Sequence, residues 1–279
     1  MTEIDEYYMH EGIRIRYRDM GSGRPLVFLH GFASSLDTWR FLSAELKKEY
    51  RLLLVDLKGH GLSDRPHDGR YSIQEHSSVV LGFITHVGLD DIVIVGHSLG
   101  VVVGLGVALE LQKSNSSRSV NRLFAIAGSM DVNNFPLALR ILRTRVLGWL
   151  SLKLTSASFR TKLMLKRAYW DDSKVTDYLV ELYAGYQRLP GSDHSLLKTA
   201  EQIIPADYTS LKEALAKLKL PVINIWGEHD IAISKLSAES LCSLLPRCAF
   251  LTLEGVGHVP QEERPEKVIE LLREFLRAD

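Results

Sequence analysis

The stretch that most constrains this chain runs from Ile92 to Glu110, where a long apolar segment is interrupted by a Gly-x-Ser-x-Gly pattern centred on Ser98. The β-branched residues before the pattern indicate a buried strand, and the residues from Leu99 onward indicate a helix with small side chains on one side. Glycines on both sides of a serine allow the backbone to double back without steric collision. The sequence therefore predicts a tight strand-to-helix turn that holds the Ser98 hydroxyl above a sheet.

Such a turn places a hydroxyl beside the unpaired N–H groups of a helix N-terminus. Those groups stabilise negative charge, which develops when a serine attacks a carbonyl carbon. The pattern is short and also occurs in ordinary glycine-flanked turns. A role for Ser98 as a nucleophile therefore depends on partner residues elsewhere in the chain.

Length and charge exclude several classes of protein. The 279 residues are enough for one large α/β domain, or for one domain with a sizeable insertion. The 34 basic and 34 acidic residues balance, so no overall field favours nucleic acid, and we expect no nucleic-acid partner. The ten histidines show no zinc-binding spacing, and we expect neither a metal nor a cofactor.

The cysteines and the N-terminus bear on location. Two cysteines, Cys242 and Cys248, are too few for a disulfide framework, and we predict buried free thiols in a reducing compartment. The N-terminus has no basic region followed by an apolar run, so a cytoplasmic location is expected. The span from Ile92 to Leu111 has the length of a bilayer crossing, but the glycine-flanked serine divides it into a strand and a helix.

Strands and helices alternate along the first half of the chain. Glu11-Gly12 is predicted to turn a hairpin of two antiparallel edge strands, and a capping box at Ser72 and Glu75 opens a later helix. A further helix is predicted from Thr38 to about Tyr50. Buried strands are predicted at Leu26–Leu29, Arg51–Val55, Ile92–Val95 and Arg122–Ala127. This alternation predicts an α/β fold with a mainly parallel sheet covered by helices on both faces.

The alternation stops after residue 128 and resumes at residue 207. Between Ser129 and Ala206 the apolar residues recur at helical spacing without a convincing strand, which indicates a helical insertion. The resumed pattern begins with a helix capped by Ser210 and Glu213, followed by strands at Pro221–Trp226 and Cys248–Leu253 and a final helix opened by Pro265. We therefore predict an α/β core of residues 1–128 and 207–279 with an inserted helical domain of residues 129–206.

Two polar residues complete the pattern that began with Ser98. Nucleophilic catalysis by serine needs a base for the hydroxyl proton and a carboxylate that orients the base. Asp230 and His258 each follow a predicted parallel strand, and the carboxyl ends of such strands meet at one edge of the sheet. Asp131, after the preceding strand, is the alternative acid. His30, His97, Asp56, His60 and Asp64 are interpreted as structural residues near the site.

Five motifs together resemble the α/β-hydrolase fold family over nearly the whole chain. They are His30-Gly31-Phe32, Asp56-x-x-Gly59-x-Gly61-x-Ser63, Gly96-His-Ser-Leu-Gly100, Gly227-Glu-His-Asp230 and Gly257-His258-x-Pro260. Their order, with the serine before the aspartate and the histidine, is the order of that family. The resemblance implies that the backbone N–H groups of Phe32 and Leu99 form an oxyanion hole and that residues 129–206 are a cap over the active site. Val101 and Lys58 depart from the family pattern at positions that carry no chemistry.

The expected chemistry is hydrolysis of a carboxylic ester through an acyl-enzyme on Ser98. A lactone or a thioester is a close variant, and the apolar insertion favours a small to medium, largely apolar substrate. A carbon–carbon bond hydrolase or a perhydrolase with the same residues is one alternative, although Val259 stands where carbon–carbon hydrolases often have tryptophan. A ligand receptor without turnover is another. A serine at the nucleophile position disfavours the aspartate-dependent dehalogenases and epoxide hydrolases.

The insertion also contains a basic stretch. Eight lysines and arginines lie between Arg140 and Arg167 without an acidic residue, and Phe135–Leu154 has a basic amphipathic pattern. A contact with a membrane surface or an anionic partner is one interpretation. The alternative is a solvated helix face balanced by nearby acids, which are Asp171, Asp172, Asp177 and Glu181.

Overall fold

A single eight-stranded sheet forms the centre of the molecule in the computed structural model, which describes residues 4–114, 116–134 and 136–278. The strands are β1 (Glu6–His10), β2 (Ile13–Gly21), β3 (Pro25–Leu29), β4 (Arg51–Val55), β5 (Asp91–His97), β6 (Ser119–Ile126), β7 (Val222–Gly227) and β8 (Cys248–Leu253). Their order in the sheet is β1-β2-β4-β3-β5-β6-β7-β8. The neighbouring pairs from β4 to β8 are all parallel, which confirms the predicted fold class.

Helices cover both faces of the sheet. They are α1 (Arg40–Leu46), α2 (Ile73–His86), α3 (Leu99–Lys113), α4 (Leu137–Leu142), α5 (Arg145–Leu154), α6 (Ala157–Ala168), α7 (Asp177–Gln187), α8 (Ser192–Gln202), α9 (Tyr208–Leu215), α10 (Lys235–Leu244), α11 (Pro260–Glu263) and α12 (Pro265–Arg277). Two apolar cores follow from this arrangement, one between the sheet and α2 and α3, the other between the sheet and α1 and α12. Strands β3 to β6 are therefore apolar on both faces, as the continuous apolar runs predict.

The N-terminal hairpin differs from the prediction in one respect. Its turn at Glu11-Gly12 is confirmed, and β1 pairs with β2 in antiparallel register from Glu6 with Tyr17 to His10 with Ile13. However, β2 continues to Gly21 and also pairs with β4, so β1 is the one strand of this hairpin that lies at an edge of the sheet. The alternating arginines of β2 suggested an edge strand, but Arg16 is almost completely buried because it forms ion pairs with acidic side chains.

The helix boundaries are confirmed in part. The Ser72 hydroxyl accepts a hydrogen bond from the N–H of Glu75 and caps α2, as predicted. The prediction of a Ser210 cap was wrong, because Asp207 caps α9 by accepting from the Ser210 N–H at 2.9 Å. The predicted helix from Thr38 to Tyr50 is also shorter, since a 3₁₀ turn at Leu36–Trp39 precedes α1 and the helix ends at Leu46.

Helices α4 to α8 lie between β6 and β7 in the chain, which is where the sequence predicts the insertion. The described part of this segment contains no strand. A separate apolar cluster joins α6 and α7 to Val259 of the core. Residue Phe135 of the predicted basic amphipathic stretch lies outside the described residues, and the division into core and inserted domain stays a prediction. Within the described ranges, none of the helices has both the length and the apolarity that a bilayer crossing requires.

The prediction of two buried free thiols was wrong. Cys242, near the end of α10, and Cys248, at the start of β8, form a disulfide across a separation of six residues. Both are half-buried rather than buried. A count of two cysteines gives no signal for pairing, which here depends on the turn that brings the end of α10 beside the first residue of β8.

Candidate active site

The predicted strand-to-helix turn is present at Ser98. β5 ends at His97 and α3 begins at Leu99, so Ser98 is the residue immediately before the helix. Its backbone φ of +49° lies in the left-handed region that L-residues rarely adopt. The Ser98 N–H donates to the carbonyl of Ile126 on the neighbouring strand at 2.9 Å, which holds this conformation. Backbone strain maintained in this way is typical of functional positions.

The flanking glycines are required by close backbone contacts. A Cβ atom at Gly96 would lie 2.8 Å from the backbone nitrogen of Val101, across the turn. A Cβ atom at Gly100 would collide with the carbonyl oxygen of Leu29 on β3. The pattern that predicted the turn is therefore explained by sterics, because both neighbours are backbone atoms that cannot rotate away.

Asp230 and His258 lie together, as the strand ends predict. His258 Nδ1 is 2.7 Å from Asp230 Oδ2. The other carboxylate oxygen, Oδ1, accepts from the N–H groups of Ala232 at 2.7 Å and Ile233 at 2.8 Å. The Asp230 side chain is completely buried. With one oxygen held by the backbone, the second is oriented toward the imidazole, which assigns the proton to Nδ1 and leaves Nε2 as the acceptor nitrogen.

His97 supports His258 rather than replacing it. Its Nε2 is 2.9 Å from the backbone carbonyl of His258, so this nitrogen is the donor, and the two rings are 4.9 Å apart. Burial lowers the pKa of His97 well below its usual value, and the neighbouring His258 acts in the same direction. A neutral, buried His97 fixes the loop that carries His258, which agrees with its structural interpretation.

The loop after β3 brings Phe32 beside the turn. A Cβ atom at Gly31 would lie 2.7 Å from His97 Nδ1 and 3.4 Å from Ser98 Cβ, so only glycine allows this approach. His30 Nε2 accepts from the N–H of Leu57 at 3.0 Å, and burial lowers the pKa of His30 to about 4. The Phe32 N–H therefore lies on a loop held against the turn, and the Leu99 N–H occupies the first position of α3, where no intrahelical acceptor exists.

The loop after β4 is built around a buried charge pair. Asp56 accepts from Arg16 at 3.1 Å and from the N–H groups of Leu36 and Leu62. Burial is the largest influence on Asp56 and raises its pKa to about 6, against the effect of Arg16. Asp64 accepts from the Arg14 N–H on β2, so both acids organise the loop, in agreement with their structural interpretation.

Two buried glutamates beside His258 were not predicted. Glu262 accepts from the hydroxyls of Thr38, Tyr169 and Tyr183 and forms an ion pair with Arg40. These partners come from both the core and the inserted helices. Acidic residues just before the Pro265 helix are expected to be solvent-exposed, and no local pattern in the sequence shows that donors from three distant segments converge on this carboxylate.

Glu263 connects the inserted helices to the histidine loop. Its carboxylate accepts from the N–H groups of Trp170 and Asp171 at 2.9 and 3.1 Å and from that of Gly257 at 2.6 Å. The His258 N–H in turn donates to the carbonyl of Ala168, at the end of α6, at 2.6 Å. The position of His258 therefore depends on contacts with the insertion.

Four of the residues predicted for the site line one cavity of about 410 Å³. Ser98, His258, Phe32 and Leu99 all line it, beneath the insertion, and the remaining lining is mainly apolar. Asp131 lines it too, but its carboxylate accepts from the hydroxyl of Ser237 at 2.8 Å. Among the residues that the structure describes, no three His, Cys, Asp or Glu side chains are grouped as metal ligands would be. The expectation of a site without cofactor stays a prediction.

Comparisons with known proteins identify the family of the chain. Residues 26–271 match the model of the alpha/beta hydrolase family. An uncharacterized hydrolase of Bacillus subtilis, YugF, is 27% identical over 278 residues, which are 98% of this chain and 95% of that protein. A soluble epoxide hydrolase of Corynebacterium is 26% identical over 98% of both chains.

A solved structure is similar to this chain over nearly the whole length of both proteins. The meta-cleavage product hydrolase of Pseudomonas fluorescens IP01 superimposes with a TM-score of 0.83 at 23% identity and covers 99% of this chain and 98% of its own. At that identity the likeness shows the fold alone. Since the family model spans most of the sequence and the sheet has the topology of its neighbours, the chain belongs to the alpha/beta hydrolase family and is a hydrolase.

Proposed function

We propose that the protein is a serine hydrolase that cleaves a carboxylic ester of a small to medium, largely apolar substrate. The observation that carries this proposal is the position of Ser98. A strained serine lies at a helix N-terminus in the same mainly apolar cavity as a histidine whose Nδ1 is fixed by a buried aspartate. A lactone or thioester has the same reacting carbonyl and belongs to the same proposal.

The proposed reaction is acyl transfer in two steps. Ser98 Oγ attacks the ester carbonyl while His258 Nε2 takes the hydroxyl proton, and Asp230 stabilises the imidazolium that forms. The N–H groups of Phe32 and Leu99 stabilise the negative oxygen of the tetrahedral intermediate. The intermediate expels the alcohol, which receives the proton from His258. Water then attacks the acyl-enzyme by the same sequence and releases the acid.

The serine separates this proposal from the activity of the epoxide hydrolase relative. The family resemblance implies that epoxide hydrolases and dehalogenases of this fold use an aspartate as the nucleophile, which forms an alkyl ester with the substrate. Ser98 cannot form such an ester. Val259 packs in an apolar cluster with Leu165 and Tyr169, so no aromatic ring stands next to His258 at this position. Ester hydrolysis is therefore favoured over carbon–carbon bond cleavage.

Hydrolysis of p-nitrophenyl esters from acetate to decanoate tests the proposal. We expect turnover by the parent protein, a loss of kcat of about 10⁴-fold or more in Ser98→Ala, and a preferred chain length that reports the cavity size. Ser129 also lines the cavity and is the matched control, since Ser129→Ala is expected to keep kcat within about threefold. No turnover of any ester would contradict the proposal. Tight binding of an apolar ligand without turnover would favour a receptor.

A cytoplasmic location belongs to the same proposal. Disulfides are rare in a reducing cytoplasm, so the oxidation state of Cys242 and Cys248 in cells reports whether the protein lies in a reducing or an oxidising compartment. A cytoplasmic protein would keep this bond reduced, and alkylation in intact cells would then modify both thiols. Complete protection of both thiols would place the protein in an oxidising compartment instead.

A further inference from the structure

The outer face of α5 exposes apolar side chains that no other part of the described structure covers. We define this face by Val146, Leu147, Trp149, Leu150 and Leu154, all of which are exposed. The opposite side of the helix carries the buried residues Gly148 and Leu152, and a Cβ atom at Gly148 would contact Leu197 of α8. The helix therefore packs on α8 by one side and presents a second apolar side outward, whereas an ordinary surface helix has polar residues there.

The cavity opens beside this helix. Leu137, Phe159, Leu163 and Ile231 line the cavity and are each more than half exposed, so they form its rim. Three of these four lie on α4 and α6, the helices on either side of α5 in the chain. The inner side of α5 also reaches the cavity through Ser151 and Leu152. An apolar molecule at the outer face of α5 would thus be close to the mouth of the cavity.

Charge around the face favours an anionic partner. Several of the basic side chains are neutralised, since Lys153 pairs with Asp193, Lys162 with Asp177 and Lys166 with Asp172. Three exposed arginines have no ion pair with any described residue, and these are Arg140, Arg145 and Arg167. The predicted balance by acids is therefore incomplete. Trp149 adds an aromatic ring of the kind that is enriched at membrane–water interfaces.

We propose that the outer face of α5 docks on the surface of an anionic phospholipid bilayer, with Arg140, Arg145 and Arg167 close to the lipid headgroups. A basic amphipathic helix with leucine and tryptophan on its apolar side lies in the plane of such an interface. Docking would place the cavity rim against the bilayer, where apolar esters are concentrated. This last step rests on the ester hydrolysis proposed above, whereas docking itself does not.

Sedimentation with vesicles, without any substrate, tests docking separately from catalysis. The probes are vesicles of phosphatidylcholine alone and vesicles with about 30 mol % phosphatidylglycerol. We expect the parent protein to partition at least about tenfold more strongly into the anionic vesicles. Partition at background level into both, or equal partition into both, would overturn the proposal.

Matched variants assign the binding to this face. Leu154 and Leu236 are each 74% exposed, but Leu236 lies on α10 outside the insertion. The double variant Trp149→Ser, Leu154→Ser is expected to lower partition about tenfold or more, and Leu236→Ser is expected to leave it unchanged. Equal losses in both would overturn the proposal.

A second pair of variants tests the charge. Arg140→Glu with Arg145→Glu is expected to remove most of the preference for anionic vesicles, while Arg247→Glu, at an exposed position before β8, is expected to keep it. Far-UV circular dichroism is expected to be unchanged in all of these variants, which shows that they fold whether or not the protein hydrolyses esters. A parent protein that dimerises through this face and ignores vesicles would overturn the proposal in favour of a second copy of the chain.

Discussion

The strand ends that hold Asp230 and His258 and the outer helices of the insertion are built in opposite ways. At the strand ends, buried polar atoms are held by several partners, and both oxygens of Asp230 are occupied. On α5, by contrast, most apolar side chains face outward and the helix is held by one narrow side. The difference indicates that the strand ends hold Asp230 and His258 in place, whereas α5 provides a surface. Glu263 is one of the points at which the two regions are joined.

The largest expected effect is a loss of kcat when the hydrogen bond between Asp230 and His258 at the strand ends is disrupted. Asp230→Asn places an amide N–H₂ against His258 Nδ1 and so favours the wrong imidazole tautomer. We expect kcat to fall by about 10⁴-fold with the fold retained, measured by ester hydrolysis and by circular dichroism. Asp131→Asn is the control because Asp131 bonds to Ser237 instead, and a comparable loss in that variant would make Asp131 the acid.

Gly100→Ala tests the backbone sterics beneath Ser98. The added methyl group collides with the carbonyl oxygen of Leu29, and a backbone atom cannot move away by rotation. We expect the free energy of unfolding to fall by about 3 kcal/mol or more, measured by urea denaturation. A variant with unchanged stability would show that the turn is not as closely packed as described.

Glu263→Ala tests the contact between the histidine loop and the insertion. Removal of the Glu263 carboxylate leaves the buried N–H of Gly257 and those of Trp170 and Asp171 without an acceptor. We expect a loss of about 2–3 kcal/mol in the free energy of unfolding and a lower kcat, since His258 loses a support. Glu239→Ala removes only an exposed pairing on α10 and is expected to cost about 0.5 kcal/mol or less. Full activity in Glu263→Ala would show that the loop carrying His258 keeps its conformation without the contacts of Glu263.

Acid is expected to weaken the core. Burial lowers the pKa of His30 to about 4 and those of His60 and His76 to about 3. Below a pH of about 6.5 the unfolded chain therefore binds more protons than the folded protein does. The free energy of unfolding decreases as the pH falls from there toward the pKa values of these histidines in the folded protein. In that range each histidine contributes about 1.4 kcal/mol per pH unit to the decrease in the free energy of unfolding.

His76→Leu isolates one of these contributions. Both ring nitrogens of His76 are buried without a partner among the described residues. We expect the decrease in the free energy of unfolding between pH of about 6 and about 4.5 to become shallower by about 1.4 kcal/mol per pH unit. Asp56, whose pKa is raised to about 6, acts in the opposite direction but equally in both proteins. An unchanged slope in His76→Leu, matching that of the exposed His86→Leu control, would contradict this account.

The smallest expected effect lies in the insertion. Gly185 is inside α7, and a Cβ atom there would meet nothing within 4 Å. Gly185→Ala is therefore expected to raise the free energy of unfolding by about 0.5–1 kcal/mol, because alanine loses less conformational freedom in a helix. The same chemical change thus has opposite signs at Gly100 and Gly185. A loss of stability at Gly185 would show that this helix is more closely packed than the structure indicates.

The features that the sequence predicted are those with short-range physical causes. The turn at Ser98 follows from two glycines, the α2 cap from Ser72, and the convergence of Asp230 with His258 from the direction of parallel strands. The α9 cap is a local exception that was missed, since Asp207 takes the capping position although Ser210 was also available. The other features that it did not predict depend on distant partners.

The remaining differences have the same origin. Arg16 is buried on β2 because Asp5, Asp37 and Asp56 surround it, and Glu262 is buried because hydroxyls from three segments converge on it. A charged residue in sequence is expected to be exposed. Only the folded arrangement shows that these charges have the partners that make burial stable.

Labelling with a fluorophosphonate tests whether Ser98 is an activated nucleophile, since this probe reacts with an activated serine whether or not the natural substrate is an ester. We expect one phosphonyl group per chain, found by mass spectrometry on the peptide that contains Ser98. We also expect that labelling is lost in Ser98→Ala and falls by about 10³-fold or more in His258→Ala, because the hydroxyl then lacks its base. Labelling of another residue, or equal labelling rates in the parent protein and His258→Ala, would contradict the claim that Ser98, His258 and Asp230 act as one unit.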